Sequence, residues 1–579
     1  MKKKWIYPNK LREEITEEHQ KSSVLLRLLR KRGFQDEKEQ EEFLSLKPQK
    51  TYDPFLLKNM EEAVQSILNA LDTNQSICIY GDYDADGVTS CSLLLEILGK
   101  LTANLFYYIP SRFEEGYGFH KTAVDKIKAL GADMIITVDC GSTSLEEVEY
   151  AKQQGLSIIV TDHHTIVNDM VPNCIFINPK QKDCTYPFSG LSGCGVAFKL
   201  AQAIQHTLED RKDARSTLLN KKALNDVLDL VAISTIGDIV PLVDENRTLV
   251  KYGLKRIQKG SRCGLLELID AIGISKKNIK SEQIAYSIVP HLNAAGRMYS
   301  AKIGVELLIH SGDNKEDILK RKTAVETLVK NNQERKQIQE ETFVNCMQLA
   351  EKINDTDLFL LIASDNAHEG IAGIVAGKLK DYFSKPTALV TLCEDGIHYK
   401  GTGRSVEGVD LYELLHTQNP CFERFGGHAG ACGFLLKKDN IEKLRSGLNE
   451  HMEDLTKENP TLLVPTLRID EKLESEELTK TFIQQLDCFE PYGHCNEKPL
   501  FLIENLIIKE IRYMGSNMEH VRFKAVSLTG SNHDYIIFSK ASEYKEKLKI
   551  RTSVDVVGYP SINHFRGTAN VQFIVRDMK

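Results

Sequence analysis

Three short apolar runs, each ending on a loop of acidic or imidazole side chains, set the main constraint on how this chain folds. SICIY at 76–80 runs into Gly81-Asp82-Tyr83-Asp84-Ala85-Asp86-Gly87 and then helical VTSCSLLLEILGKL. MIITV at 134–138 runs into Asp139-Cys140-Gly141-Ser142 and then SLEEVEYAKQQG, and LSIIVT at 156–161 runs into Asp162-His163-His164. Strand, loop and helix repeated at this interval predict a mostly parallel sheet with helices on both faces. The ligand crevice of such a sheet lies beyond the carboxyl ends of its strands, so the three loops should converge there. A fourth segment, STIGDIVPL, places Asp238 after the apolar helical run DVLDLVAI and before Pro241.

Convergence of this kind has an electrostatic consequence. Two carboxylates about 4 Å apart repel by about 4 kcal/mol at an effective dielectric near 20. Five or more in one crevice need protons or bridging cations. A donor set of Asp plus His suits Mn²⁺ better than Ca²⁺ or an all-oxygen Mg²⁺ site. Asp82–Gly87 matches an EF-hand loop locally, but the twelfth position is Leu93 where a calcium loop needs Glu, so the calcium reading fails. Taken singly, each residue has a plainer explanation. An aspartate after a strand, such as Asp139 or Asp162, is usually a helix cap, and a lone His163 is a loop histidine. The combination of four segments, each where the fold would bring it, changes that balance.

Beyond this first α/β region the character changes twice. Residues 313–354 are polar with sparse apolar positions (Ile318, Val325, Leu328, Ile338, Phe343, Leu349), and no Pro or Gly occurs between Asn314 and Ala363. This predicts a long solvated helix between two domains. DLFLLIAS at 357–364 and PTALVTL at 386–392 restart the strand–helix alternation to about residue 455, a second and smaller α/β domain. From about 460, HVRFKAVSL, DYIIFSK, SVDVVGY and NVQFIV are short, β-branched and partly alternating. Residues 500–579 carry 12 Lys/Arg against 8 Asp/Glu, which leaves −11 of the overall −7 on the rest of the chain. A small basic β-domain carrying Tyr513, Phe523, Tyr535, Phe538 and Phe565 fits an oligonucleotide-binding barrel, although most such aromatics are core. Residues 1 to about 50 read as a helical lead-in. The 13 cysteines contain no CxxC pair, no apolar run reaches membrane-spanning length, and the basic opening MKKKWIYPNKLREE has no apolar stretch behind it. The expectation is a cytoplasmic protein with reduced thiols and no membrane partner.

IYGDYDADGVTS at 79–90, VDCG at 138–141, TDHH at 161–164 and STIGDIVPL at 234–242 resemble, in order, the four motifs of the DHH phosphoesterase superfamily, specifically the RecJ exonucleases. PHLNAAGRM at 290–298, GTGRS at 401–405, GGHAGACGF at 426–434 and LDCFEPYGHCNEKPLF at 486–501 continue the match. The resemblance implies a DHH-type parallel-sheet domain (51–310) after the lead-in (1–50). A connecting long helix (311–354) would follow, then a DHHA1 α/β domain (355–458) and an OB-fold β-barrel domain (459–579). It implies that Asp84, Asp86, Asp139, His163 and Asp238 ligate two Mn²⁺ ions, Mg²⁺ being the alternative, with Asp139 bridging and Asp82 beside the pair. His164 and Arg297 would hold the scissile phosphate. Arg112, Thr402 and Arg404 would dock a terminal 5′-phosphate, and Gly426, Gly427 and His428 would form the second domain's approach to the strand.

The implied activity is metal-dependent 5′-to-3′ degradation of single-stranded DNA to mononucleotides in repair and recombination. Two ions about 3.5–4 Å apart would activate water and stabilise the leaving oxygen. Substrate would thread a cleft between the α/β domains, too narrow for duplex. The expected partners are single-stranded DNA, a single-strand-binding protein and a helicase, with the chain a monomer. Two departures from the family pattern stand out. Tyr80 occupies the position where some superfamily members carry His, implying a more oxygen-rich shell for one metal. Cys495 and Glu497 stand where the family usually shows Gly and Pro, which bears on loop geometry. Two other readings share part of the pattern. A small-substrate phosphodiesterase acting on cyclic dinucleotides or very short RNA would lack the final β-domain. A metal-free scaffold is disfavoured by the intact aspartates of all four motifs.

Overall fold

Five parallel strands form the first sheet: β1 (Ile77–Gly81), β2 (Leu105–Tyr108), β3 (Met134–Val138), β4 (Ser157–Thr161) and β5 (Ile175–Ile177), in the order β2-β1-β3-β4-β5. Every residue of β1 and β3 is buried, as expected of central strands covered by helices on both faces. The computed structural model describes residues 3–7, 23–260, 262–310, 312–364, 367–565 and 568–579. The helix Ala85–Leu98 starts directly after the acidic loop because Asp84 caps it, accepting from the amides of Asp86 (2.9 Å) and Gly87 (3.1 Å). Gly193–Asp210 is capped in the same way by Ser192, and Leu228–Gly237 delivers Asp238 at its C-cap.

The chain forms two compact units. The larger comprises Trp5–Asn293, Ala301–Val325 and Leu467–Lys579; the smaller is mainly 294–300 and 326–466. Within the larger, the C-terminal strands β11 (Phe501–Met514), β12 (His520–Val526), β13 (Asn532–Ile537), β14 (Ser553–Phe565) and β15 (Thr568–Met578) close a ring, β11-β12-β13-β15-β14 and back to β11. That closed five-stranded barrel is OB-like. The lead-in helices Val24–Lys31 and Glu37–Leu44 pack on it: Leu28, Leu29 and Phe43 share one core with Phe501, Phe523, Tyr535 and Phe573. The aromatics divide as their alternation requires, Phe523 and Tyr535 inside, Tyr513 and Phe538 exposed; the Phe565 side chain lies outside the described part.

The smaller unit holds the mixed sheet β9-β10-β8-β7-β6, built from β6 (Leu360–Ala363), β7 (Thr387–Leu392), β8 (His398–Arg404), β9 (Phe422–His428) and β10 (Ala431–Lys437). The long helix is real, 39 residues from Lys315 to Ile353, but it is not solvated throughout. Val325 and Leu328 are buried together with polar Asn331, Asn332, Gln339 and Thr342, whereas Ile318 and Leu349 are exposed. Its C-terminal part packs Cys346 and Ala350 against Ile362, Ile371 and Leu379. All 13 cysteines are free thiols, and among the described residues no helix is long and apolar enough to cross a membrane.

The helix Asp244–Lys259, which follows Asp238, lies against Leu228–Gly237 through Gly253. A Cβ there would stand 2.2 Å from the Leu228 carbonyl oxygen and 2.4 Å from Ala232 Cβ. Gly253→Ala therefore gains about 1 kcal/mol of helix propensity but costs about 1–3 kcal/mol of overpacking against backbone that cannot swing away. The expected net is a loss, read as a lower urea midpoint for the metal-free protein; an unchanged or raised midpoint would contradict the packing argument.

Candidate active site

Strand register brings the acidic loops to one level. Gly81 pairs with Val138, Val138 with Thr161, and Thr161 with Ile177. The next residue on each strand is polar: Asp82, Asp139, Asp162 and Asn178. The strand order reverses between β1 and β3, so Asp82 and Asp139 flank the switch point where such sheets bind ligands. Asp139 sits at φ +60°, a left-handed conformation that Asp tolerates better than most residues, and its amide donates to the Thr161 carbonyl at 3.1 Å. Two glycines permit the crowding. A Cβ on Gly193 would lie 2.7 Å from Asp139 Oδ1, and one on Gly87 would lie 2.4 Å from the Asp82 carbonyl oxygen.

Among the described residues three ion-sized groups result, Asp86/His163/Asp238, Asp82/Asp84/Asp139 and Asp139/Asp162/His163/His164, each with ligand atoms within 4.8 Å of one another. His163 Nε2 stands 3.1 Å from Asp139 Oδ1, 3.5 Å from Asp238 Oδ2 and 3.7 Å from Asp86 Oδ2, so Asp139, a member of the other two groups, adjoins the first as well. Asp82 Oδ1, Asp139 Oδ1 and both His163 ring nitrogens are buried without a hydrogen-bond partner. Buried donor atoms left bare at this separation fit a divalent cation. Burial, and next the neighbouring carboxylates, push the Asp82, Asp84 and Asp139 carboxyls up and that of Asp238 to about 8. Tyr80, fully buried, donates its hydroxyl to the Gly118 carbonyl and takes no part.

The two histidines have opposite environments. Burial pushes the His163 imidazole down to about 4, which keeps it neutral as a ligand must be. Burial also works against charge on His164, but its hydrogen bond from Nδ1 to Asp162 (2.8 Å) and the carboxylates around it prevail and raise it to about 9. Asp162 is thus the organiser of the loop rather than a helix cap. It also accepts from the amides of His163 (2.7 Å), His164 (3.1 Å) and Ser142 (2.9 Å). Sequence reading missed this role, and missed the groups that fix Asp86: the amides of Gly193 (2.7 Å) and Cys194 (2.8 Å) and the Ser234 hydroxyl (2.6 Å). It also missed Asn293, whose Oδ1 accepts from the Ala85 amide at 2.7 Å, and Asn178, which donates to the His164 carbonyl at 2.9 Å. Ser234 and Asn293 lay inside motifs already singled out; nothing in the sequence marked Asn178. Tyr117 places its hydroxyl 3.2 Å from His164 Nε2, and Arg112 stacks 5.3 Å above Tyr83 on the same rim.

The remaining candidates belong to the smaller unit. Register aligns Thr402 with Gly433 and Gly426, and Arg404 with Ala431 and His428, so the four share one sheet face, open at Gly426 and His428 and lying against the helix Glu369–Phe383 at Thr402 and Arg404. The adjacent glycines differ. Gly427 has φ +145°, and a Cβ would meet the Ala431 carbonyl oxygen at 2.3 Å, so the hairpin itself demands it. Gly426 would meet nothing within 4 Å and Gly433 only the Gly401 carbonyl oxygen at 3.8 Å, so the fold demands glycine at neither. Arg404 donates to the Gly403 carbonyl at 2.8 Å, Arg297 to the Gly370 carbonyl at 3.0 Å, and His428 Nδ1 accepts from the Gly430 amide at 3.1 Å.

Comparison with known proteins agrees with this architecture. Residues 76–235 match the DHH family N-terminal domain, 355–454 the DHHA1 domain, and 469–577 the RecJ OB domain. The single-stranded-DNA-specific exonuclease RecJ of Bacillus subtilis is 35% identical over 564 residues, covering 97% of this chain and 69% of that protein. That of Escherichia coli is 32% identical over 532 residues, 90% of each. The crystal structure of RecJ in complex with Mn²⁺ from Thermus thermophilus superposes with a TM-score of 0.79 at 27% identity, covering 96% of this chain and 75% of that one. The Mg²⁺ complex from the same organism gives 0.73 at 26% identity, covering 96% and 74%. With identity of this extent along nearly its whole length, the chain belongs to the RecJ exonuclease family.

Proposed function

We propose that this chain is a divalent-metal-dependent exonuclease that removes mononucleotides from the 5′ end of single-stranded DNA. The observation that carries this reading is the set Asp82, Asp84, Asp86, Asp139, His163 and Asp238 gathered at the switch point of the sheet, with Asp82 Oδ1, Asp139 Oδ1 and both His163 ring nitrogens buried and bare. Divalent ions held there, two and preferably Mn²⁺ in this reading, supply Lewis-acid activation of the attacking water and stabilise charge on the leaving oxygen. Asp86 is fixed by four donors, the amides of Gly193 and Cys194 and the hydroxyls of Ser234 and Ser90, and Asp139 by its left-handed backbone, so neither must reorganise during turnover. His164, held in its charged form by Asp162, offers an N–H to the scissile phosphate. Arg297 adds a guanidinium fork for its oxygens.

Arg112, Thr402 and Arg404 dock the terminal 5′-phosphate. The side-chain-free positions at Gly426 and Gly433 admit the strand's backbone, with His428 beside it. The C-terminal barrel grips the strand through exposed Tyr513 and Phe538 and its net positive charge, so affinity falls as salt rises. The same assignment divides the chain into a lead-in (1–50), a catalytic domain (51–310), a connecting helix (311–354), a second α/β domain (355–458) and a barrel domain (459–579). The closed barrel is the feature that counts against a dinucleotide substrate.

Digestion of an end-labelled single strand should release mononucleotides from the 5′ end with Mn²⁺ and none with EDTA. Release from the 3′ end alone would remove the roles given to Arg112 and Arg404.

Asp139→Asn tests the charge argument, since Asn also tolerates the left-handed backbone. The variant should lose cleavage yet melt higher than the parent when metal-free, because a repelling carboxylate is gone. Mn²⁺ at 100 times its dissociation constant should stabilise the parent by about 2.7 kcal/mol and the variant far less. A metal-free variant that melts lower than the parent would contradict it.

Gly426→Val adds bulk to the open face at no packing cost, so the melting temperature should hold. KM for single-stranded DNA should rise roughly tenfold, the value of one lost backbone contact. An unchanged KM would remove this face from the substrate path.

A further inference from the structure

Asp238 differs from the other acidic groups of the site. Among the described residues no hydrogen bond holds its carboxylate, whereas that of Asp86 accepts from Gly193, Cys194 and Ser234. Its side chain is 25% exposed, against 0% for Asp86 and 3% for Asp139. With no hydrogen bond on the carboxylate, its position depends chiefly on its backbone, the turn Asp238-Ile239-Val240-Pro241-Leu242, in which Ile239 is left-handed at φ +58°.

That turn is braced by chain from the far end of the sequence. The Leu242 amide donates to the His494 carbonyl at 2.8 Å, and Gly493 lies so close that a Cβ would stand 2.5 Å from Leu242 Cδ1. The bracing loop is itself locked. Asn496, 2% exposed, donates to the carbonyls of Phe489 (2.9 Å) and Pro491 (2.7 Å), and its Oδ1 accepts from the Arg32 guanidinium. Gly493 and Asn496 exchange backbone hydrogen bonds, and Ser281 donates to the Tyr492 carbonyl at 2.5 Å. From the helix that follows the turn, Arg247 reaches back to the carbonyls of Cys488 and Phe489, both at 2.9 Å, while Asn246 holds those of Pro241 (3.0 Å) and Gly190 (2.7 Å).

We propose that the Phe489–Asn496 loop leading into the C-terminal barrel is a positioning device for the metal site, with Asn496 and Gly493 as positioning residues that fix Asp238 through Leu242. The proposal rests on the reading of Asp238 as a metal ligand. It gives the C-terminal segment a second role: besides carrying a strand-binding barrel, it completes the geometry of an ion site it does not touch. Partners that orient a metal ligand typically contribute about 10–100-fold to affinity, and here the partner acts on the ligand's backbone instead of its side chain.

The test uses the full chain and two readouts, Mn²⁺ affinity by equilibrium titration and hydrogen exchange of the Leu242 amide in metal-free protein. Asn496→Ala should weaken Mn²⁺ binding about tenfold and speed Leu242 exchange. Val556→Ala, a truncation in the barrel core, should lower the melting temperature and leave both readouts unchanged. Gly493→Ala keeps every bond of Asn496 but pushes on Leu242, and should also weaken Mn²⁺ binding; it carries the test if Asn496→Ala does not fold. Unchanged Mn²⁺ affinity in both loop variants, or an equal loss in Val556→Ala, would overturn the proposal. Asp238→Asn separates the two levels. If it leaves Mn²⁺ affinity intact, the ligand assignment is wrong; if it weakens binding while the loop variants do not, the assignment stands and the positioning role falls.

Discussion

Repulsion among buried carboxylates is the condition to which the rest of the larger unit answers. A parallel sheet alone would deliver Asp82, Asp139 and Asp162 side by side, and the loops add Asp84, Asp86 and Asp238. The protein offsets part of this charge with its own dipoles. The Gly193–Asp210 helix begins with two amides donated to Asp86, so positive partial charge at a helix start faces the most buried carboxylate. Asp84 turns one oxygen to the start of Ala85–Leu98 in the same way. The remaining donor atoms, bare and enclosed, are left for cations.

This division also explains why adjacent histidines behave differently. His163 points among carboxylates but is too buried to carry charge, while His164 stands at the rim with Asp162 as its nearest counter-ion. One neutral ring thus stands beside one charged ring, two roles set apart by environment. Asp162 achieves it by accepting three amides or ring N–H groups through one oxygen and the Ser142 amide through the other.

Much of this was legible because strand ends are local. An apolar run that stops at a carboxylate can be seen in ten residues, and register then does the assembling. Edge strands were not legible: Leu105–Tyr108 is only half-buried and Ile175–Ile177 has three residues, so neither shows a distinct pattern. The long helix was visible from its lack of Pro and Gly, but which polar side chains it buries depends on partners distant in sequence. Gly426 and Gly427 look alike as letters. Only their backbone angles and surroundings show that the hairpin requires the second and does not require the first. The role of Asp162 was hidden for the opposite reason, since a cap and a loop organiser use the same residue after the same strand.

The second departure from the family pattern, the pair Cys495 and Glu497, proves to be a single local solution. Cys495 occupies φ +59°, the left-handed region where a side chain costs about 1–2 kcal/mol and glycine costs little, which accounts for the usual glycine. Its amide donates to the Glu497 carboxylate at 3.2 Å, an acceptor that a proline at 497 could not supply. A charged acceptor recovers part of the conformational cost, about 1.5–3 kcal/mol in favourable settings and less for an exposed pair such as this. The carbonyl immediately before Cys495 is that of His494, which receives the Leu242 amide. In this chain the backbone turns left-handed at this position and presents that carbonyl to Leu242. The constraint therefore lies in the loop's shape, which Cys495 and Glu497 meet together through one left-handed residue and one hydrogen bond.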